Sequence, residues 1–141
     1  MPNIIIAGSR NMDDYHLMKN RWADYAKKHG LTAGRVTIIS GGANGADKLA
    51  ERLAKENGLH CKVMRADWQA NGKSAGHIRN AEMVKAVGAD GHLLAFWDGQ
   101  SPGTAGTIKQ ARHAGLHVEI VRTAEDEAEQ LTLFCSTGYI L

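Results

Sequence analysis

The stretch VTIISGGANGADKLAERLAKENG, Val36 to Gly58, decides the fold. Val36 to Ser40 is a short run rich in β-branched residues, the pattern of a strand buried on both faces in a parallel sheet. Gly41, Gly42 and Gly45 follow, and then Leu49, Ala50, Leu53 and Ala54 recur at helical spacing as far as Gly58. A strand, a glycine turn and an amphipathic helix closed by glycine make one β-α unit. The turn poses a chemical question, because small residues at a helix N-terminus either only redirect the chain or also clear space for a phosphate.

The same alternation continues on both sides. Asn3 to Ala7 reads as a buried strand, and Tyr15, Met18, Trp22 and Tyr25 mark a helix from Asp13 to His29, capped by Asp13 or Asp14 and ended by Gly30. His60 to Ala66 reads as a third strand, placed nearer a sheet edge by Lys62 and Arg65. A polar loop, DWQANGKSAG, leads to a helix over Gly76 to Val87. His92 to Trp97 is a fourth strand, DGQSPGTAG a second glycine-bearing loop, Thr107 to Ala114 a helix, and His117 to Val121 a fifth strand. This order predicts an α/β fold, a Rossmann-like doubly wound parallel sheet of about five strands with helices on both faces. Ligands in such folds bind beyond the carboxyl ends of the strands, where strand order reverses. The loops after Ala7, Ser40, Ala66 and Trp97 all lie at that edge.

A chain of 141 residues with 43% hydrophobic content can bury one core, so a single domain over residues 1–122 is expected. The remainder, 123–141, carries a capping-box pattern in TAED and then LTLFCSTGYIL, too apolar for a free end. It is expected to pack on the domain or on a partner subunit, and a homo-oligomer is the expected state. The 17 basic residues are spread out and the net charge is +2, so a dedicated duplex DNA binder is not expected, whereas an anionic small molecule fits. Cys61 and Cys135 form no CxxC pair and the seven histidines lack ligand spacing, so neither disulfide nor metal is expected. No signal peptide and no apolar run of about 20 residues is present, which predicts no membrane contact and a cytoplasmic location.

Four loops carry the binding chemistry. Gly8, Ser9 and Arg10 follow the first strand. Gly41, Gly42, Ala43, Gly45, Ala46 and Asp47 follow the second, without the spacing of a Walker loop or of GxGxxG, and leave backbone N–H groups for an anion. Asp47 either takes a ribose hydroxyl or, as the simpler reading, caps the second helix. Lys73, Ser74, Arg79 and Asn80 surround the start of the third helix, where arginine can clasp a phosphate in bidentate fashion. Ser101, Gly103, Thr104 and Thr107 add hydroxyls and amides before the fourth. Trp68, set among polar residues, is the candidate for stacking on a base, while Phe96 reads as core. Gly45→Val is expected to block ligand approach and leave the fold intact.

GSR after the first strand, SGGANGAD after the second, ADW after the third, GHIRNAEM at the third helix and FWDGQSPGTAGT after the fourth together resemble the YspA-like branch of the SLOG superfamily. That superfamily also contains the LONELY GUY phosphoribohydrolases and the Smf/DprA DNA-processing proteins. The resemblance covers nearly all of Met1 to Val121 and implies a Rossmann-like nucleotide-binding domain, either an enzyme or a sensor of nucleotide-derived signals, in bacterial or phage settings. LONELY GUY enzymes carry RKxxM-like and PGGxGTxxE motifs, whose arginine and glutamate serve N-glycosidic cleavage. Here Arg79 and Met83 match the first, and Pro102, Gly103, Gly106 and Thr107 match much of the second. Thr104 replaces a glycine, and Gln110 stands where the catalytic glutamate would be.

The resemblance therefore implies binding more than catalysis. The expected function is to bind a nucleotide or nucleotide-derived ligand as a sensor or carrier, with no further cofactor assigned. Two rivals stand beside it. One is a nucleoside monophosphate phosphoribohydrolase whose catalytic group is to be sought among Arg79, Gln110, Asp98, Glu82 and Asp67. The other is a single-strand DNA-binding protein, by analogy with Smf/DprA.

Overall fold

Ile4, Ile5 and Ile6 are completely buried because the strand that carries them, β1 (Asn3–Gly8), runs through the middle of the sheet. The structure, a computed structural model, describes residues 2–123. Four further strands are β2 (Thr37–Ser40), β3 (His60–Val63), β4 (His92–Trp97) and β5 (His117–Arg122). The sheet order is β3-β2-β1-β4-β5, and every neighbouring pair is parallel.

Successive side chains of a strand point to opposite faces, and this alternation splits the core into two layers. Ile4, Ile6, Ile38, Leu94 and Phe96 pack against α1 (Tyr15–His29) and α2 (Ala46–Asn57). Ile5, Ala7, Ile39, Leu93 and Ala95 pack against α4 (Ala75–Val87) and α5 (Pro102–His113). The fold is the Rossmann-like doubly wound sheet that the alternation predicts. β3 lies at a sheet edge with all four residues exposed, and it ends at Val63, three residues before the expected Ala66. Asp14 is the residue that caps α1, its carboxylate accepting from the Leu17 N–H at 3.0 Å.

Two segments depart from the expected loops. Trp68–Asn71 forms one helical turn, α3, which Asp67 caps by accepting from the Ala70 N–H at 3.0 Å, and Gly72–Ser74 continues as a 3-10 turn into α4. α5 begins at Pro102, five residues ahead of the expected Thr107. Proline fits the first position of a helix because its φ is preset and the N–H it lacks would have had no intrahelical partner. Apart from Thr123, the expected tail 123–141 lies outside the described residues. Among the described residues no helix is long and apolar enough to cross a membrane.

At the amino ends of the strands, away from the expected ligand edge, three imidazoles gather. His92 is 7% exposed, and its Nδ1 lies 2.7 Å from the Tyr25 hydroxyl. Its ring stacks on His117 with centroids 4.9 Å apart, and His29 lies 5.1 Å away. Burial, followed by the neighbouring imidazoles, pushes His92 below the ordinary imidazole range. Burial and then Lys28 do the same to His29. Both shifts lower the folded-state pKa, so the stabilisation is complete above the unfolded value of about 6.5 and is lost as pH falls toward the folded values. The urea midpoint should therefore drop between about pH 8 and about pH 6, and His29→Gln should remove part of that drop. That window stops where Asp47, shifted in the opposite sense, titrates. A midpoint constant across it would show that these rings titrate as in the unfolded chain.

Candidate functional site

A crevice of about 770 Å³ opens beyond the carboxyl ends of β1 and β4, where strand order reverses. That volume suits a nucleotide-sized ligand. Ser9 forms its floor. It is 1% exposed, its N–H donates to the Phe96 carbonyl at 3.0 Å, and its own carbonyl accepts from Met12 at 3.1 Å and Ala46 at 3.2 Å. Its hydroxyl oxygen accepts from the Asp98 N–H at 3.0 Å and lies 3.2 Å from the Ser101 hydroxyl. One buried residue thus joins the loop after β1 to the end of β4 and to the start of α2. The polar groups of Ser9 are engaged within the fold.

Asp98 is engaged in the same way. Its carboxylate accepts from the Gln100 N–H at 2.8 Å, the Ser101 N–H at 2.7 Å and the Ser101 hydroxyl at 2.8 Å. These bonds, led by the Ser101 and Gln100 N–H groups, hold its pKa down to about 2. It lines the crevice as a fixed anion, which makes it a poor proton donor or base near neutrality.

Asp47 and Arg79 act on each other electrostatically at the crevice wall. Asp47, 6% exposed in the first turn of α2, accepts from the Ala43 N–H at 3.1 Å, so it ties down the preceding loop, while Gly45 takes the cap position without a side-chain bond. Burial raises its pKa to about 6 against the opposing pull of that N–H and of Arg79. Arg79 donates to the Gly41 carbonyl and, through Nε, to Asn80 Oδ1 at 2.8 Å. Burial lowers its pKa, with Asp47 acting against that shift. Asn80 in turn reaches the Gly103 carbonyl at 3.5 Å, linking α4 to the start of α5.

The glycines after β2 are answered one by one by this packing. A Cβ on Gly41 would lie 2.6 Å from Arg79 Nη1 and 2.8 Å from the Asp47 carboxylate. Gly45 has φ +79°, and a Cβ there would run into the backbone carbonyls of Ser9 and Arg10. These glycines let loops and side chains of the protein itself close together. Gly41, Gly42, Gly45 and Ala46 do not line the crevice; within SGGANGAD only Ala43 and Asp47 do. The loop's N–H groups are also partly used, Gly42 donating to Ser40 Oγ at 3.2 Å, Ala43 to Asp47, and Ala46 to Ser9. The expectation that Gly45→Val would spare the fold is corrected by this contact.

The remaining candidates divide. Gly8, Arg10, Trp68, Lys73, Ser101, Gly103, Thr104 and Thr107 all line the crevice. Trp68 is 54% exposed, whereas Phe96 is fully buried as the sequence reading holds. Thr107 donates its hydroxyl back to the Gly103 carbonyl at 3.1 Å. Glu82 is exposed, Asp67 caps α3, and neither lines the crevice. Gln110 lies more than two turns into α5 and reaches the crevice only through His77, with its Nε2 3.0 Å from His77 Nδ1. Sequence reasoning did not assign Ala7, Asn11, Gly76, His77, Met83, Pro102 or Gly106 to the crevice they line. Gly76, His77, Met83, Pro102 and Gly106 lie inside the quoted motifs GHIRNAEM and FWDGQSPGTAGT, but His77 itself carries no spacing signal.

A parallel sheet with a ligand-sized crevice at its switch point defines a Rossmann-like α/β protein. The YspA, cpYpsA-related SLOG family (YAcAr) matches residues 2–70. The Gene 61 protein of Mycobacterium phage D29 is 40% identical over 123 residues, spanning 84% of this chain and 94% of that protein. The chain belongs to this SLOG family. Among solved structures, DNA processing protein A (DprA) from Streptococcus pneumoniae shares the fold with a TM-score of 0.67 at 16% identity. The match covers 94% of this chain and 56% of that one, so the chain spans a little over half of its length.

Two glycine substitutions separate packing from access. Gly45→Ala meets both a positive φ and a backbone clash, and should cost more than about 1 kcal/mol in urea denaturation. Gly103 lines the crevice in the first turn of α5, and a Cβ there meets nothing within 4 Å, so Gly103→Ala should leave the urea midpoint unchanged or raised. Equal stability of the two variants would remove the packing role assigned to Gly45.

Proposed function

We propose that the crevice binds a nucleotide or nucleotide-derived ligand through its phosphate, as a sensor or carrier. Membership of the SLOG family points to a nucleotide-related or DNA-processing role, and the residues of the crevice narrow that to a ligand chemistry. The observation that carries the reading is the convergence of Arg10, Lys73 and Arg79 on one crevice with the first turn of α5. Arg10 and Lys73 have no side-chain hydrogen bond or ion pair to another described residue. Arg79 uses only part of its five-donor fork on Gly41 and Asn80. At the start of α5, Gly103 and Thr104 sit where helix N–H groups lack intrahelical partners. The exposed indole of Trp68 at the rim offers a base a stacking surface, and Asp47 supplies an acceptor for a ribose hydroxyl. The glycosidase rival is the less favoured, because Asp98 is held as an anion by Gln100 and Ser101 and Glu82 lies outside the crevice.

Isothermal calorimetry with a panel of nucleoside mono- and diphosphates, AMP first, tests the reading. At least one nucleotide should bind, and Arg10→Ala and Lys73→Ala should each weaken it about tenfold, the worth of one charged hydrogen bond. Free base appearing during the titration would promote the phosphoribohydrolase reading. Binding of a single-stranded oligonucleotide with steep salt dependence, and of no mononucleotide, would promote the DNA reading. No binding of any of these by folded protein would overturn the proposal.

A further inference from the structure

His77 and Gln110 form a pair that neither the family match nor the phosphate reading uses. His77 lies near the start of α4, exposed and lining the crevice. Gln110 stands on α5, which packs beside α4 over the same face of the sheet, with Met83, Val84, Ile108 and Ala111 sharing one core layer. The Gln110 amide nitrogen is 3.0 Å from His77 Nδ1. The Gln110 Oε1 is buried without a hydrogen-bond partner among the described residues.

Donor and acceptor chemistry restricts how this pair can be protonated. An amide nitrogen only donates, so Nδ1 must offer its lone pair and the ring proton belongs on Nε2. Turning the amide over would bring Oε1 to the ring, but would strand an amino group with two donors where a single carbonyl oxygen is now buried. The observed orientation leaves the smaller deficit. A second ring proton would set Nδ1–H against N–H, and the pair has no place for it. A carboxylate at position 110 would act in the opposite sense, accepting from Nδ1–H and supporting an imidazolium.

We propose that Gln110 is a positioning residue that holds His77 as a neutral ring protonated on Nε2, and that this Nε2–H is a hydrogen-bond donor to a phosphoryl oxygen of the ligand in the crevice. The second half rests on the phosphate reading above, and the first does not. In this arrangement His77 adds directional recognition without adding to the charge of Arg10, Lys73 and Arg79. It also cannot serve as the acid of a glycosidic cleavage, so the glutamine suits binding without turnover.

The test is long-range proton–nitrogen correlation NMR of histidine-labelled protein at about pH 7.5, above the ordinary imidazole range. The His77 signals are assigned by their loss in His77→Gln. In the wild type His77 should carry its proton on Nε2 alone. Gln110→Leu should give a mixture of both neutral forms, and Gln110→Glu should move the ring proton to Nδ1, where the carboxylate accepts it. A wild-type ring protonated on Nδ1, or the same mixture as in Gln110→Leu, would overturn the positioning role. Should Gln110→Leu fail to fold, the wild type against Gln110→Glu makes the same decision.

Calorimetry with AMP reads the second half. His77→Ala should weaken AMP about tenfold, as loss of one hydrogen bond to a charged acceptor requires. Unchanged AMP affinity in folded His77→Ala would overturn the donor role. If the wild type binds no AMP, the donor role falls together with the AMP form of the phosphate reading, whereas the NMR result still decides the positioning by Gln110.

Discussion

The crevice depends on the close approach of three backbone segments at Ser9. β1, β4 and the start of α2 converge there, and a single buried serine holds them through its N–H, its carbonyl and its hydroxyl. The approach is close enough that Gly8 has no room for a Cβ between the Phe96 carbonyl and Ala46, and that Gly45 has none against the loop after β1. Because Ser9 O accepts from the Ala46 N–H, the first turn of α2 is set relative to β1, and Asp47 is set with it. Because Ser9 Oγ accepts from the Asp98 N–H, the loop before α5 is set relative to the same strand. The walls of the crevice are therefore positioned by one hydrogen-bonded hub instead of by flexible loops. A buried polar network of this kind rigidifies a site when all its members are satisfied.

The fold was legible where burial dictates sequence. Ile4 to Ile6 and Leu93 to Phe96 are buried on both faces, and only a central parallel strand requires that of consecutive residues. The start of α5 was not legible, because Pro102, Gly103 and Gly106 are the residues that also make loops. What makes them helical is the fit of proline to a first helical position and the cap geometry set by Asp98 and Ser101, a contact that needs the turn already formed. The single turn at Trp68–Asn71 escaped for a related reason. It buries nothing, so no apolar period announces it.

The crevice was legible in its charges and not in its clearances. Arg10, Lys73 and Arg79 follow strands or open helices, and topology alone brings them to one edge. The glycines mislead because sequence shows where a side chain is absent but not what occupies the space. At Gly41 that occupant is Arg79 with Asp47, and at Gly45 it is the backbone of Ser9 and Arg10. Among the glycines that line the crevice, those with open space are Gly103 and Gly106, on a helix that begins before the sequence pattern reveals it. His77 went unread because its meaning lies in Gln110, which is 33 residues away in the chain.

The two carboxylates of the crevice are driven apart by their surroundings. Asp98 receives N–H and hydroxyl donors and stays an anion down to about pH 2, whereas Asp47 is held in a poorly solvated site and titrates near 6. Arg79 bears on this directly, since it opposes the rise at Asp47 while burial lowers its own pKa and leaves it a cation at neutrality. Against three cations, the crevice at pH 7 thus carries one permanent anion and one that is close to neutralisation. A phosphate brought beside Arg79 would draw on the attraction that now keeps Asp47 ionised and would push that carboxyl further toward its protonated form. Anion capture there and proton uptake at Asp47 would in this way be linked, with each favouring the other. The second ionisation of a phosphate monoester, near pH 6, works against the link on the acid side by removing charge from the ligand as Asp47 loses its own. In a crevice that held a phosphate monoester, the two effects would oppose each other over the same pH range.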